Sequence, residues 1–202
     1  MVFTPIKFGR LYNWYAVSDS RKISSSDDWT LDTILTTNGI SANTKDTDLS
    51  YWNSPNTGAT NYMGFAVRGC GYRLYGFASF KQYCIFRSYN NTNNYSLYEY
   101  NSGTVSPIDA MGTKVGLTQR LQRATTNIDG TISTYIGNDE KIYMVKTRGG
   151  YDVLMSNLAE TKFRNGDLIP SFGTNGINYT NAEWDALTSS ACCPVNGNES
   201  NV

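Results

Sequence analysis

The sequence predicts a mixed α+β fold with an antiparallel sheet and two short helices. Two stretches predict strands. In GFAVRGCGYRLYGFASF (64–80), apolar and polar residues alternate as in paired strands with glycine bends. KQYCIFRS (81–88) is rich in aromatic and β-branched residues. Helical spacing of apolar residues is found in two short segments only. The 202 residues can form one large domain or two small ones, each with a buried core.

The first predicted helix lies in SSSDDWTLDTILTTNG, which starts at Ser24. Ser26 or Asp27 can act as its N-cap, and Gly39 is suited to end it. Its apolar stripe would consist of Trp29, Leu31, Ile34 and Leu35.

The middle of the chain is less regular. Residues 41–61 are polar and turn-forming around an isolated Tyr51-Trp52 pair. KVGLTQRLQRA (114–124) can be a strand or a helix, because the spacing of its apolar residues does not decide between the two periods. Residues 124–135 then lack apolar periodicity and are the best candidate for a linker.

The C-terminal third predicts two strands and a helix. GNDEKIYMVKT (137–147) is typical of a turn and a strand, and a glycine turn leads to a second strand in YDVLMSNL (151–158). In TNAEWDALTSS, Thr180 at the N-cap and Glu183 three residues later form a capping box. The buried side of this helix would carry Trp184 and Leu187.

Composition excludes several classes of function. Seventeen basic and seventeen acidic residues cancel, so no net field favours nucleic acid or an anionic membrane. The absence of histidine excludes Ser-His-Asp and Cys-His catalysis and the usual transition-metal sites. No apolar run is long enough to span a bilayer, and the N-terminus has no signal-peptide pattern. We therefore expect no catalytic residues, no metal, no cofactor and no membrane insertion.

The four cysteines are Cys70, Cys84, Cys192 and Cys193, and their spacing fits no metal or redox motif. The favoured interpretation is that all four are small buried apolar residues in a reducing compartment. A Cys70–Cys84 disulfide that closes a hairpin is the main alternative.

Three stretches together carry a resemblance to a known family. They are GRLYNWYAV (9–17), GFAVRGCGYR (64–73), and YIGNDEKIYMVKTRGGYDVLMSNLAETKFRNGDLIP (135–170) followed by TNAEWDALTSSACC. They resemble the Fibrobacter succinogenes major paralogous domain family. The resemblance implies a C-type-lectin-like fold, related to that of formylglycine-generating enzymes, of the kind found in phage virion proteins.

The order of these stretches differs from the family's order. There the segment like 135–193 precedes the GRLYNWYAV segment, so the resemblance implies that this chain is circularly permuted. Residues 1–123 would be the family's C-terminal half, 124–134 a linker, and 135–202 the family's N-terminal half. We expect residues 135–193 to cover the aromatic residues of 9–17, either in the same chain or in a neighbouring subunit.

A polar and aromatic tract is the candidate binding surface. Residues 88–102 hold five Asn, four Tyr, three Ser and one Thr. Amides and hydroxyls bind sugar hydroxyls or protein epitopes without charge, and tyrosine rings provide flat stacking surfaces. A loop diversified by a retroelement and a polar loop that contacts only neighbouring subunits are the alternatives. The candidate ligand-binding residues are Tyr89, Asn90, Asn91, Asn93, Asn94, Tyr95, Tyr98 and Tyr100.

Three arginines lie among aromatic residues in the predicted strands. Arg68, Arg73 and Arg87 have Tyr72, Tyr75 and Phe86 as sequence neighbours. Stacking of guanidinium groups on rings is the favoured interpretation. The alternative is recognition of an anionic sugar such as a uronate or a sialate.

Together these features lead to a hypothesis about function. We expect a non-enzymatic bacteriophage virion protein, a tail or head fibre or decoration subunit, made in the host cytoplasm. Its partners would be other virion subunits, further copies of itself (a trimer among the expected oligomers) and a glycan or protein at the host surface. A secreted or surface-displayed bacterial adhesin is the alternative, and an oxidase related to formylglycine-generating enzymes is a remote one.

Overall fold

The computed structural model of the protein describes residues 6–32, 42–87, 94–109, 111–171 and 180–202. These residues form two short helices, α1 (Trp14–Val17) and α2 (Asn181–Asp185). The strands are β1 (Arg10–Tyr12), β2 (Thr30–Leu31), β3 (Tyr72–Arg73), β4 (Phe77–Ala78), β5 (Tyr83–Arg87), β6 (Asn94–Glu99), β7 (Val105–Asp109), β8 (Leu121–Ala124), β9 (Ile132–Ile136), β10 (Ile142–Arg148), β11 (Tyr151–Leu154) and β12 (Cys192–Pro194).

The strands form four sheets within the described residues. The largest has the order β2-β8-β11-β10-β9, a second has the order β5-β6-β7, and the remaining strands pair as β1-β12 and β3-β4. Every one of these strand pairs is antiparallel. The predicted combination of antiparallel sheets with two short helices is therefore confirmed. Neither helix has the length or the apolar run that crossing a bilayer requires.

The two halves of the chain are interleaved. The five-stranded sheet takes β2 and β8 from the N-terminal half and β9, β10 and β11 from the C-terminal half. Residues 132–134 of the predicted linker are the first residues of β9. The segment before β9 is hydrogen-bonded to the turn between β10 and β11, since the Thr125 N–H donates to the Gly150 carbonyl over 2.9 Å. Residues 124–134 thus connect two strands of one sheet.

The C-terminal half covers the first part of the GRLYNWYAV stretch. Leu11 and Tyr12 are fully buried, and β1 pairs with β12, which places Leu11 opposite Cys193. The Tyr12 hydroxyl donates to the Glu160 carbonyl over 2.9 Å. Trp14 is different, because it is only half-buried and its ring lies 4.9 Å from the guanidinium of Arg87 in the N-terminal half. Coverage by residues 135–193 thus holds for residues 10–12 and is incomplete at Trp14.

Gly9 gives a direct test of this coverage. Its φ is +76°, and an added Cβ would lie 2.6 Å from the Leu158 carbonyl oxygen. We expect Gly9→Ala to lower the free energy of unfolding by about 2 kcal/mol in urea titrations, from backbone strain plus the clash. Gly130→Ala is the matched control, because Gly130 also has a positive φ but no atom near its Cβ position. Equal losses for the two variants would contradict the close approach of residues 9 and 158.

The first predicted helix, over residues 26–39, is wrong in its described part. Thr30 and Leu31 form β2 and pair with Gln122 and Leu121. The tertiary pairing overrides the helical period, because a two-residue strand buries Leu31 against the sheet. Ile34, Leu35 and Gly39 lie outside the described residues.

The helix that does form near the N-terminus is α1, and Asn13 is its N-cap. The Asn13 side-chain oxygen accepts from the Ala16 amide over 3.0 Å and from the Ala191 amide over the same distance. One side chain thus caps the helix and fixes it to the residue before β12. The second predicted helix is confirmed as α2, including the reciprocal Thr180–Glu183 capping box and the buried Trp184.

The remaining strand predictions are confirmed in their described parts for 81–88, 137–147 and 151–158 and only in small part for 64–80. The turns of 42–61 contain one 3-10 turn (Ala42–Thr44), and Trp52 is fully buried there. The predicted strands appear as β5, β10 and β11, and the 64–80 stretch forms only the short β3-β4 pair. The ambiguous segment 114–124 ends in β8 and makes isolated bridges to Tyr12, Arg73 and Phe86. Through these bridges and β8, this extended segment links all four sheets.

Candidate functional site

The predicted tract does not form an open binding surface in its described part. Tyr95 is 3% exposed and its hydroxyl donates to the Met111 carbonyl over 2.7 Å, while Tyr98 is fully buried. β6 is the central strand of its sheet, and Tyr95 and Tyr98 enter different core clusters on its two sides. Burial also raises the pKa of Tyr98. Tyr95 and Tyr98 were predicted to contact a ligand at the surface. The structure places both in the core instead.

The other members of the tract lie elsewhere. Tyr100 is half-buried and packs against the same core cluster as Tyr98. Asn94 opens β6, and only its backbone is described. The remaining candidates are outside the described residues: Tyr89, Asn90, Asn91 and Asn93.

A cleft of about 460 Å³ lies between α1, the segment that leads to β2, and β8. We call it the Trp14 cleft, because the half-buried Trp14 ring is its largest accessible apolar group. Its apolar lining consists of Trp14, Val17, Ile23, Trp29, Leu31 and Leu121.

Hydroxyls and charges line the rest of the cleft. Arg164 is held in place by its neighbours: its Nε donates to the Ser24 carbonyl over 3.0 Å and its Nη1 to Asp27 over 2.6 Å. Lys22 is exposed, and its backbone carbonyl accepts from the Arg164 amide over 2.9 Å. The polar lining consists of Ser18, Lys22, Ser24, Asp27, Thr30 and Arg164.

The wall formed by Trp29 is rigid. Its ring lies 4.7 Å from the Tyr135 ring on one side and 5.0 Å from the Arg123 guanidinium on another. Arg123 is itself held by the fully buried carboxylate of Asp152 at 3.1 Å. Strands β8, β9 and β11 therefore fix this wall, so the cleft exists before any ligand binds.

Trp14 is positioned from three directions. It is the first residue of α1, its amide donates to the Thr113 carbonyl over 2.8 Å, and the Arg87 guanidinium stacks on its ring. Arg87 is the last residue of β5, so β5 ends beside the Trp14 ring. The sequence predicts that the aromatic residues of 9–17, Trp14 among them, are covered. The signal that this prediction did not use was Asn13, whose capping role places the next side chain at a helix start.

A second cleft of about 370 Å³ lies on the other side of α1 and has Tyr15, Arg21 and Ser189 in its lining. Its charges are already satisfied, because Arg21 pairs with Asp19 at 2.7 Å and with Asp167 at 3.1 Å. Arg21 also holds the pKa of Asp19 well below its usual value. No tryptophan lines it. The Trp14 cleft is the better candidate for ligand binding.

The other two arginines stack on aromatic rings as expected, although not on Tyr72, Tyr75 or Phe86. The Arg68 guanidinium lies 3.7 Å from the Tyr51 ring and pairs with Asp46 at 3.0 Å. Arg73 lies between the rings of Phe77, at 4.7 Å, and Trp184, at 4.5 Å. Both of these arginines are structural.

The cysteines are buried free thiols in the structure. The sulfur atoms of Cys70 and Cys84 are 3.4 Å apart, and burial raises the pKa of the Cys84 thiol well above its usual value. A thiol that stays protonated is a poor nucleophile and a poor metal ligand. Among the described side chains, no three Cys, Asp or Glu residues are grouped as metal ligands would be.

No protein-family model, no curated protein and no solved structure matches the chain. The geometry of the site is therefore the basis for a functional proposal.

Proposed function

We propose that this chain is a non-enzymatic, lectin-like recognition protein of a bacteriophage virion, and that the Trp14 cleft binds a saccharide of the host surface. The observation that carries the proposal is an accessible tryptophan ring in a preformed cleft lined by hydroxyl and charged groups. A sugar ring has C–H faces that stack on indole and hydroxyls that bond to such side chains.

The permuted C-type-lectin-like fold is part of the proposal. A permuted chain brings together the residues near its two ends, and such contacts occur here. The Phe8 amide donates to the Asn201 carbonyl over 2.9 Å, and the Lys7 ammonium donates to the Ser200 carbonyl over 2.8 Å. The Arg10–Glu199 ion pair at 2.6 Å adds to this junction. Self-association and contact with other virion subunits are proposed with it, and light scattering measures the former.

The test is a glycan array followed by calorimetry on Trp14→Ala. We expect the wild type to bind a subset of bacterial surface saccharides, and Trp14→Ala to weaken that binding about tenfold or more through loss of stacking. Trp14→Phe keeps a flat ring and is expected to retain most of the affinity. Thermal unfolding of each variant checks that the fold is intact.

Tyr62→Ala is the control, because Tyr62 is a 73% exposed ring that does not line the cleft. A joint alanine variant of Tyr89, Asn90, Asn91 and Asn93 tests the predicted tract separately. Saccharide binding that survives Trp14→Ala but not the joint variant would place the site in the tract. Absence of binding to any saccharide would refute the proposal.

A further inference from the structure

The charge around the Trp14 cleft differs from that of the whole chain. The chain has no net charge, but the titratable side chains that line the cleft are Lys22, Arg164 and Asp27. The Arg87 guanidinium, stacked on Trp14, adds a third cation beside the one carboxylate. The cleft is therefore locally positive.

One of these cations is neutralised inside the protein. Arg164 pairs with Asp27 at 2.6 Å and also donates to Ser24, so it serves to hold the cleft in shape. Within the described ranges, by contrast, no ion pair is formed by Lys22 or by Arg87. Among the described residues, these two positive charges of the cleft region thus have no carboxylate partner.

Of these two unpaired cations, Arg87 has the larger free-energy cost of burial. It is 2% exposed, and its Nε and Nη2 have no hydrogen-bond partner among the described residues. Burial of an unpaired guanidinium is unfavourable, and burial lowers the pKa of Arg87 accordingly. An anion bound in the cleft beside Trp14 would offset this cost through the field of the buried charge.

Lys22 is placed where such an anion would bind. It is exposed at the cleft, and its φ of +61° is a left-handed conformation that favours Gly or Asn over Lys. Lys22 is thus a lysine of the cleft lining whose charge has no ion-pair partner among the described residues.

We infer that the Trp14 cleft binds an acidic saccharide, with a sugar ring on Trp14 and a ligand carboxylate on the Lys22 ammonium. The inference rests on the proposed saccharide function and narrows it to uronate-type or similar carboxylated sugars. Arg87, stacked on the Trp14 ring, contributes through its field. Ser18 and Thr30 also line the cleft, and because their hydroxyls donate to the Trp14 and Gln122 carbonyls, they offer the ligand acceptor oxygens.

The test compares an oligouronate with its carboxyl-reduced neutral counterpart by calorimetry at low and at high salt. The wild type is expected to bind the oligouronate at least about fivefold more tightly than the neutral sugar, and this preference should shrink as salt screens the pair. Lys22→Gln is expected to remove the preference, and Lys22→Arg to keep it.

Lys81→Gln is the matched control, because Lys81 also has a left-handed φ, of +59°, and does not line the cleft. If the wild type binds both sugars with equal affinity and Trp14→Ala binds neither, the acidic preference is overturned. The proposed saccharide site would then still be supported. Binding of neither sugar, together with an empty glycan array, would overturn both. A preference lost equally in Lys81→Gln would overturn the role of Lys22.

Discussion

Replacement of Arg120 by methionine is expected to lower the free energy of unfolding by about 4 kcal/mol, measured by urea denaturation. Arg120 is 1% exposed, and its Nε donates to the Asn157 side-chain oxygen over 2.9 Å. Its terminal nitrogens donate to the backbone carbonyls of Phe65, Ala66 and Leu154. Methionine fills similar volume but leaves these buried acceptors without donors.

The size of this effect follows from where the acceptors lie. They belong to the 64–80 stretch and to the end of β11, so one side chain joins both halves of the chain to β8. Arg148→Met is the control, because the Arg148–Asp129 pair is exposed and should contribute less than about 1 kcal/mol. Similar losses for the two variants would show that the buried hydrogen bonds do not stabilise the fold.

The second large effect is a fall in stability between about pH 5 and pH 8 that depends on Glu160. Glu160 is fully buried, and its carboxyl group accepts from the Tyr143 hydroxyl over 2.6 Å and from the Asp139 amide over 3.1 Å. Burial, with the nearby Asp139 carboxylate, raises the pKa of Glu160 from 4.5 to about 8. Asp139 stays ionised, because despite burial its bond to Lys141 holds its pKa below the usual value.

The direction of the effect follows from proton binding. Between pH 4.5 and about 8, folded Glu160 holds its proton while the unfolded chain has lost it. The stability that this proton supplies is fully present below pH 4.5 and is lost as pH rises towards 8. We expect a loss of about 2–4 kcal/mol over this window, since a tenfold difference in proton affinity between the folded and unfolded chains corresponds to about 1.4 kcal/mol. Asp139 acts oppositely, but only at lower pH, where its carboxylate becomes protonated.

Denaturant titrations at pH 5, 6, 7 and 8 measure the slope. Glu160→Gln has no titrating group at this position, so its stability is expected to be nearly constant over the window. Glu140→Gln is the control, because Glu140 is exposed and its removal should leave the wild-type slope unchanged. A flat wild-type profile, or the same slope in Glu160→Gln, would contradict the raised pKa.

Much of the fold could be predicted because local signals and tertiary packing agree there. The Thr180–Glu183 capping box is satisfied by side chains three residues apart, so α2 needs no distant partner to be recognised. The alternating residues of β10 are buried and half-buried in turn, as the pattern of IYMVKTR indicates. At residues 26–32 the two disagree, because Leu31 gains more from pairing with Leu121 than from a helical stripe.

The candidate site was less predictable than the fold. The composition of residues 88–102 indicated a polar binding surface, but the strand that holds Tyr95 and Tyr98 became the centre of a sheet. Composition cannot distinguish an exposed tyrosine from a buried one with a bonded hydroxyl, and both kinds occur in β-rich proteins.

The sequence by itself determined the class of fold, the capped second helix, the absence of histidine chemistry and the zero net charge. Only the tertiary structure decided that Trp14 stands at an open cleft, that Arg87 stacks on it, and that Arg120 and Glu160 are buried. The physical reason is the sequence separation between the residues that determine each feature. Caps and strand periods depend on residues a few positions apart, whereas a cleft and a buried charge depend on segments more than a hundred residues apart in the chain, such as Lys22 and Arg164.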